Sequence, residues 1–127
     1  MMRGCIEARF LTPLRVEQIG NDRWLVKDVL IYISEALNRA VLVPAGFETD
    51  FASVPRLPFV YLAFGNTAHS AAVVHDYLYS TEQAERSDAD KIFLEAMKVL
   101  GIPFAKRWAM YTAVRTFGGS RYGRKDS

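Results

Sequence analysis

Ala71-Ala72-Val73-Val74-His75-Asp76-Tyr77-Leu78-Tyr79 is an apolar run in which one histidine and one aspartate stand side by side. At 100° per residue, His75, Asp76 and Tyr79 fall within an arc of about 100° on one helix face, so three polar groups converge on one spot. The chain changes texture across the loop that precedes this run. Upstream, β-branched and aromatic residues alternate with a period of two; downstream the apolar period is that of a helix. This switch predicts an α+β fold, a small N-terminal antiparallel sheet followed by three packed helices. Burying a carboxylate beside an imidazole costs several kcal/mol unless both are paired, so a helix this apolar marks the pair as a site.

The expected organisation is a single domain over 1–127, mainly β over 1–45, a structured loop over 46–66, helices over 67–118 and a flexible basic tail over 119–127. The strands read as Arg9-Phe10-Leu11, one continuous run from Trp24 to Ile33, and Ala40 to Val43. Turn-rich connections at Ile19-Gly20-Asn21-Asp22 and Glu35 to Arg39 suit hairpins and hence a meander, although Glu35 to Arg39 also fits a helical turn. Pro44, Gly46 and Pro55 stiffen the loop that follows, while Thr49, Asp50, Ser53 and Arg56 supply its polar groups. Asp50 and Ser53 suit bonds to nearby backbone amides, and the loop is expected to line the site.

The first helix is expected over 68–80 with Thr67 as its N-cap. The second, over 88–100, has Ser87 as N-cap and Asp88 and Asp90 in its first turn. Its apolar face comprises Ala89, Ile92, Phe93, Ala96, Met97 and Leu100, and Gly101-Ile102-Pro103 ends it. The third, over 103–117, carries Pro103 at its first position and a stripe of Phe104, Trp108, Tyr111 and Arg115, and is expected to be largely buried. Asp90 lies at the border of the second helix's apolar face, within reach of His75.

Half of the 127 residues are hydrophobic and the net charge is +2. That balance excludes a disordered or strongly basic chain. The longest nearly uncharged run, Leu57 to Val74, is broken by Pro58, Gly65, Asn66, Thr67 and His69, so no transmembrane segment is expected. Residues 1–7 contain no apolar signal core, which points to synthesis in the cytoplasm without a signal peptide. Cys5 is the only cysteine, so neither an internal disulfide nor a thiolate metal cluster is available within one chain. Lys106, Arg107, Arg115, Arg121, Arg124 and Lys125 make the last quarter basic without a reading helix or stacking platform, so nucleic acid is not an expected partner.

Ser53 lacks the G-x-S-x-G context of a serine nucleophile. His69, only six residues before His75, is badly placed for the separate histidine that an HD-type phosphohydrolase requires. Phosphate-binding glycine loops and zinc spacings are absent.

The order His75-Asp76-x-x-Tyr79, followed by Ala89-Asp90 early in the next helix, resembles the active-site helices of phospholipases of the A2 type, most closely the disulfide-free versions in parvoviral capsid proteins. That resemblance implies His75 as general base, Asp76 as a calcium ligand, Tyr79 and Asp90 as the groups orienting the imidazole, and a lipid substrate. A carboxylate accepting from one ring nitrogen leaves the other able to take a proton, which suits those roles. A wider set of motifs covers Gly46 to Arg56, His75-Asp76-Tyr77-Leu78-Tyr79, Arg86 with Ala89-Asp90 and Phe93, and Tyr111 to Gly118. These resemble a domain family of tailed bacteriophages and prophages. That implies a phage or prophage product, either a virion or tail component with other virion proteins as partners, or a small enzyme acting on the host envelope. In the first case Asp50, Arg56, His75, Asp76 and Asp90 would form a buried polar network. In the second, His75 would approach Asp90 within about 3 Å or reach it through one water, and turn its other nitrogen to a cleft lined by the loop.

Overall fold

The structure, a computed structural model, describes residues 7–20, 23–49, 69–117 and 119. Six short strands come first: β1 (Arg9–Phe10), β2 (Val16–Gln18), β3 (Trp24–Val26), β4 (Leu30–Ser34), β5 (Arg39–Val43) and β6 (Glu48–Thr49). Three helices follow among the described residues, α1 (His69–Thr81), α2 (Arg86–Val99) and α3 (Phe104–Phe117). The fold is α+β, as the change of period predicts.

The strands form two antiparallel three-stranded sheets, ordered β1-β4-β5 and β2-β3-β6, where a single meander was expected. The run from Trp24 to Ile33 is therefore two strands, and the chain passes from one sheet to the other through residues 27–29. Val26, Leu30 and Tyr32 are buried at even positions, but Lys27, Asp28 and Val29 are exposed and the alternation breaks at Asp28, where the run divides. Val26 pairs with Val16 of β2, whereas Leu30 pairs with Val43 of β5. The two-residue β6, inside the expected loop, is too short to carry a pattern of its own. Glu35 to Asn38 is a hairpin turn, with the Asn38 amide donating to the Glu35 carbonyl at 3.2 Å and Asn38 at φ 55°.

Helix α1 is buried on nearly every side, from Ala71 through Asp76 and again at Leu78 and Tyr79, as an all-round apolar sequence requires. Helix α2 begins two residues before the expected start. Ser87 thus lies inside its first turn, and Glu85 occupies the N-cap position without a side-chain cap bond. Its other end is closed by Gly101 at φ 84°: the Gly101 amide donates to Lys98 and the Ile102 amide to Met97, both at 3.0 Å. This is the paired capping pattern that glycine makes possible.

Helix α3 departs from its expected burial. Met110, Ala113 and Val114 are buried, while Phe104 and Trp108 are 65% and 40% exposed. It packs along one side, against α2, so one face faces water and the aromatic stripe lies on it. Pro103 precedes the first helical residue; its carbonyl accepts from the Arg107 amide at 2.9 Å, the N-cap role.

The core joins Val26, Leu30, Tyr32, Val41 and Val43 of the sheets to Val73, Val74 and Leu78 of α1 and to Ile92, Phe93, Ala96 and Met97 of α2. Glu95 fastens α2 to the β4–β5 hairpin, accepting from the Tyr32 hydroxyl at 2.7 Å, the Ser34 hydroxyl at 3.0 Å and the Ala36 amide at 2.9 Å. Thr67, the greater part of the 46–66 loop including Asp50, Ser53 and Arg56, and the tail from residue 120 lie outside the described residues. Among the described residues no helix is long and apolar enough to cross a membrane.

Candidate functional site

His75 and Asp90 meet in the interior, both with fully buried side chains, with Nε2 of the imidazole 2.6 Å from Oδ1 of the carboxylate. Tyr79, one turn beyond His75 on α1, donates its hydroxyl to the same oxygen at 2.6 Å. The imidazole is held between two rings, Tyr79 at 4.1 Å and Phe93 of α2 at 4.8 Å between centroids. Asp90 sits at the border of α2's apolar face, where its neighbours Ala89, Ile92 and Phe93 are drawn into the core and take the carboxylate with them.

A buried carboxylate needs compensating charge, and it comes from α3: Arg115 donates Nη1 to Asp90 Oδ2 at 2.7 Å. A second guanidinium, Arg86 at the start of α2, donates Nε to the Tyr79 hydroxyl at 3.3 Å and Nη2 to the carbonyls of Val114 and Arg115 at 2.9 and 2.7 Å. The five side chains link three helices. Both arginines fall within the family-like motifs of the sequence, Arg86 beside Ala89-Asp90 and Arg115 within Tyr111 to Gly118, but neither is assigned there to the His75–Asp90 site. The available signal is the cost of leaving Asp90 unneutralised, which requires a cation from some other element.

Electrostatics settle the protonation pattern. Burial alone would raise the Asp90 carboxyl, but hydrogen bonds from His75, Tyr79 and Arg115 outweigh it and hold the group below its ordinary 3.8. Burial pushes the His75 imidazole below its ordinary 6.5, with the Arg86 charge acting in the same direction and the Asp90 bond opposing both. Burial and the bond to Asp90 also hold the Tyr79 phenol well above its usual range. An ionised carboxylate can only accept, so Nε2 carries the imidazole hydrogen and Nδ1 of the neutral ring holds the lone pair. In such a pair the Asp90 carboxylate would stabilise the imidazolium form of the ring.

Asp76, next in sequence, faces elsewhere and is 8% exposed. Its Oδ2 accepts from the Thr49 hydroxyl at 2.5 Å, which ties α1 to the β2-β3-β6 sheet. Thr49 is thus the one member of the predicted loop set that the described residues bring to the helix. Calcium would need several oxygen ligands. Among the described residues no group of three or more histidine, cysteine, aspartate or glutamate side chains could hold a metal ion.

A family model described as "Protein of unknown function (DUF1353)" matches residues 24–114. The chain belongs to the DUF1353 family. The matched stretch takes in His75, Tyr79, Arg86 and Asp90 and stops one residue short of Arg115. "Uncharacterized protein y4jT" of Sinorhizobium fredii (strain NBRC 101917 / NGR234) is 35% identical over 78 residues, 60% of this chain and 23% of that protein. The matched chain therefore spans about a quarter of the length of that relative. No solved structure matches the DUF1353 chain at a significant level.

Proposed function

We propose that this domain is a hydrolase of the phospholipase A2-like type, in which His75 is the general base and the substrate is a lipid ester. One observation carries the reading: His75 Nε2 lies 2.6 Å from an Asp90 oxygen that also accepts from Tyr79. In the proposed reaction Nδ1 takes a proton from water as the water oxygen attacks the ester carbonyl carbon. Asp90 steadies the resulting imidazolium; when the tetrahedral centre collapses and the ester C–O bond breaks, the imidazolium returns the proton to the leaving alkoxide. The products are a fatty acid and an alcohol. No step is routed through calcium. The setting that accompanies this reading, from the sequence resemblance, is a phage or prophage product acting on host envelope lipid.

The complete burial of His75 favours a second reading, a virion- or tail-associated structural component in which the same network only binds helices together. The two separate in one experiment: lipid hydrolysis by wild type and His75→Gln, with calcium and with chelator, beside their thermal melts. The hydrolase reading expects turnover that His75→Gln abolishes. No turnover by wild type under either condition, with a lowered melting temperature in the variant, removes it.

A further inference from the structure

Asp90 is the shared acceptor of a network drawn from three helices, and the network closes on itself. α1 contributes His75 and Tyr79, both directed at Oδ1, and α3 contributes Arg115, directed at Oδ2. Rotation about the bond between an aspartate's Cβ and its carboxylate carbon is soft, so the two donors on Oδ1 do not by themselves fix the plane of the group. The Arg115 contact on the opposite oxygen does. It also keeps Oδ2 from competing for the imidazole hydrogen.

Arg115 is itself held from behind. Its backbone carbonyl and that of Val114 belong to the last turn of α3, where helix carbonyls lack partners within the helix, and both accept from Arg86 Nη2. The same guanidinium gives Nε to the Tyr79 hydroxyl, which in turn donates to Asp90. Arg86 therefore sets the end of α3 against α1, and Arg115 reaches the carboxylate from a defined starting point. The Arg115 side chain is 36% exposed while those of Asp90 and His75 are fully buried. The cation that holds the innermost carboxylate thus enters from the protein surface.

We infer that Arg115 is a positioning residue for His75: by holding Asp90 Oδ2 it orients the carboxylate so that Oδ1 fixes the Nε2–H tautomer, and Arg86 seats Arg115 for that task. The consequence for turnover rests on the hydrolase reading; the consequence for the tautomer does not.

The test compares Arg115→Met, which keeps length and loses every donor, with Arg115→Lys, which keeps the charge and one donor direction. The first readout is the pair of ring-nitrogen chemical shifts of His75 in ¹⁵N-histidine-labelled protein, well above the titration range, with the two histidines told apart by His75→Gln. Wild type is expected to show one tautomer, protonated at Nε2. Arg115→Met is expected to show both nitrogen signals displaced toward a mixture, and Arg115→Lys to restore most of the wild-type pattern. The second readout is hydrolysis of a phosphatidylglycerol vesicle, where Arg115→Met is expected to lower kcat by about 100-fold with KM changed by no more than about twofold, as misplacement of a base does. Should Arg115→Met fail to fold, Arg115→Gln carries both measurements, since its amide is neutral and too short to span the same gap.

A folded Arg115→Met or Arg115→Gln with the wild-type nitrogen shifts overturns the inference and leaves Arg115 as a surface ion pair. If wild type hydrolyses nothing while the nitrogen shifts of Arg115→Met move as expected, the positioning role stands and the hydrolase reading falls. If wild type hydrolyses lipid and the variants match it in both readouts, the hydrolase reading stands and the positioning role falls.

Discussion

Asp90→Asn changes no volume and removes one charge at the centre of the network, so its effect isolates the electrostatics. The asparagine amide has one acceptor oxygen for three donors. If that oxygen stays with His75 and Tyr79, the amide nitrogen faces Arg115 Nη1, donor against donor, where 2.7 Å now separates a cation from its carboxylate. Arg115, 36% exposed, can swing out and rehydrate, which keeps the loss below that of a fully buried pair. One charge-assisted bond then disappears, about 1.5–3 kcal/mol, and two others fall from charged to neutral strength at about 0.5–1 kcal/mol each. The total of about 2.5–5 kcal/mol corresponds to a melting temperature lower by about 10–20 °C for a chain of this size. Urea unfolding followed by circular dichroism measures the free energy, and lipid hydrolysis tests the proposed activity. There the loss of the charge that would stabilise the imidazolium is expected to lower kcat by up to about 10⁴-fold, the loss known when a triad aspartate becomes asparagine. A stability change under about 1 kcal/mol would refute the reasoning, because a carboxylate buried with three donors cannot be neutralised so cheaply.

Both His75 and Asp90 have folded-state values below their ordinary ones, so each binds protons more readily when unfolded, and stability is present above the ordinary value and lost as the pH falls. The melting temperature is therefore expected to decline as the pH falls below about 7 through histidine and to fall again below about pH 4 through Asp90, with His75→Gln flattening the first step; an unchanged slope in that variant contradicts the assignment. Glu95→Gln sets an amide against one of three donors and is expected to lower stability by about 1–2 kcal/mol without affecting the His75 nitrogen shifts, which separates the hairpin fastening from the site. Gly101→Ala meets no atom within 4 Å but must hold a φ of 84°, so chemical denaturation is expected to show a loss of about 1–2 kcal/mol from the backbone alone.

The sequence by itself determined the order of strands then helices, the approximate spans of all three helices and the helix face that carries His75 and Tyr79. These follow from local periodicity and from the stop signal at Gly101, which depend on neighbours within a few residues. It also brought Asp90 into consideration, because a residue at the border of an apolar face is carried inward when that face packs. What it could not supply is the identity of partners. The buried even positions Val26, Leu30 and Tyr32 flank the exposed Asp28, and pairing with Val16 on one side and Val43 on the other decides that the run is two strands. The apolar stripe of Phe104 and Trp108 is indistinguishable by pattern from a buried one, and packing of α3 along its Met110 and Val114 side left it in water. Most consequentially, Arg115 lies 25 residues from Asp90 and Arg86 lies 29 from the carbonyl of Arg115. Charge neutralisation of a buried group acts through space and is indifferent to separation along the chain, so only the tertiary structure could decide which cation supports the histidine–aspartate pair.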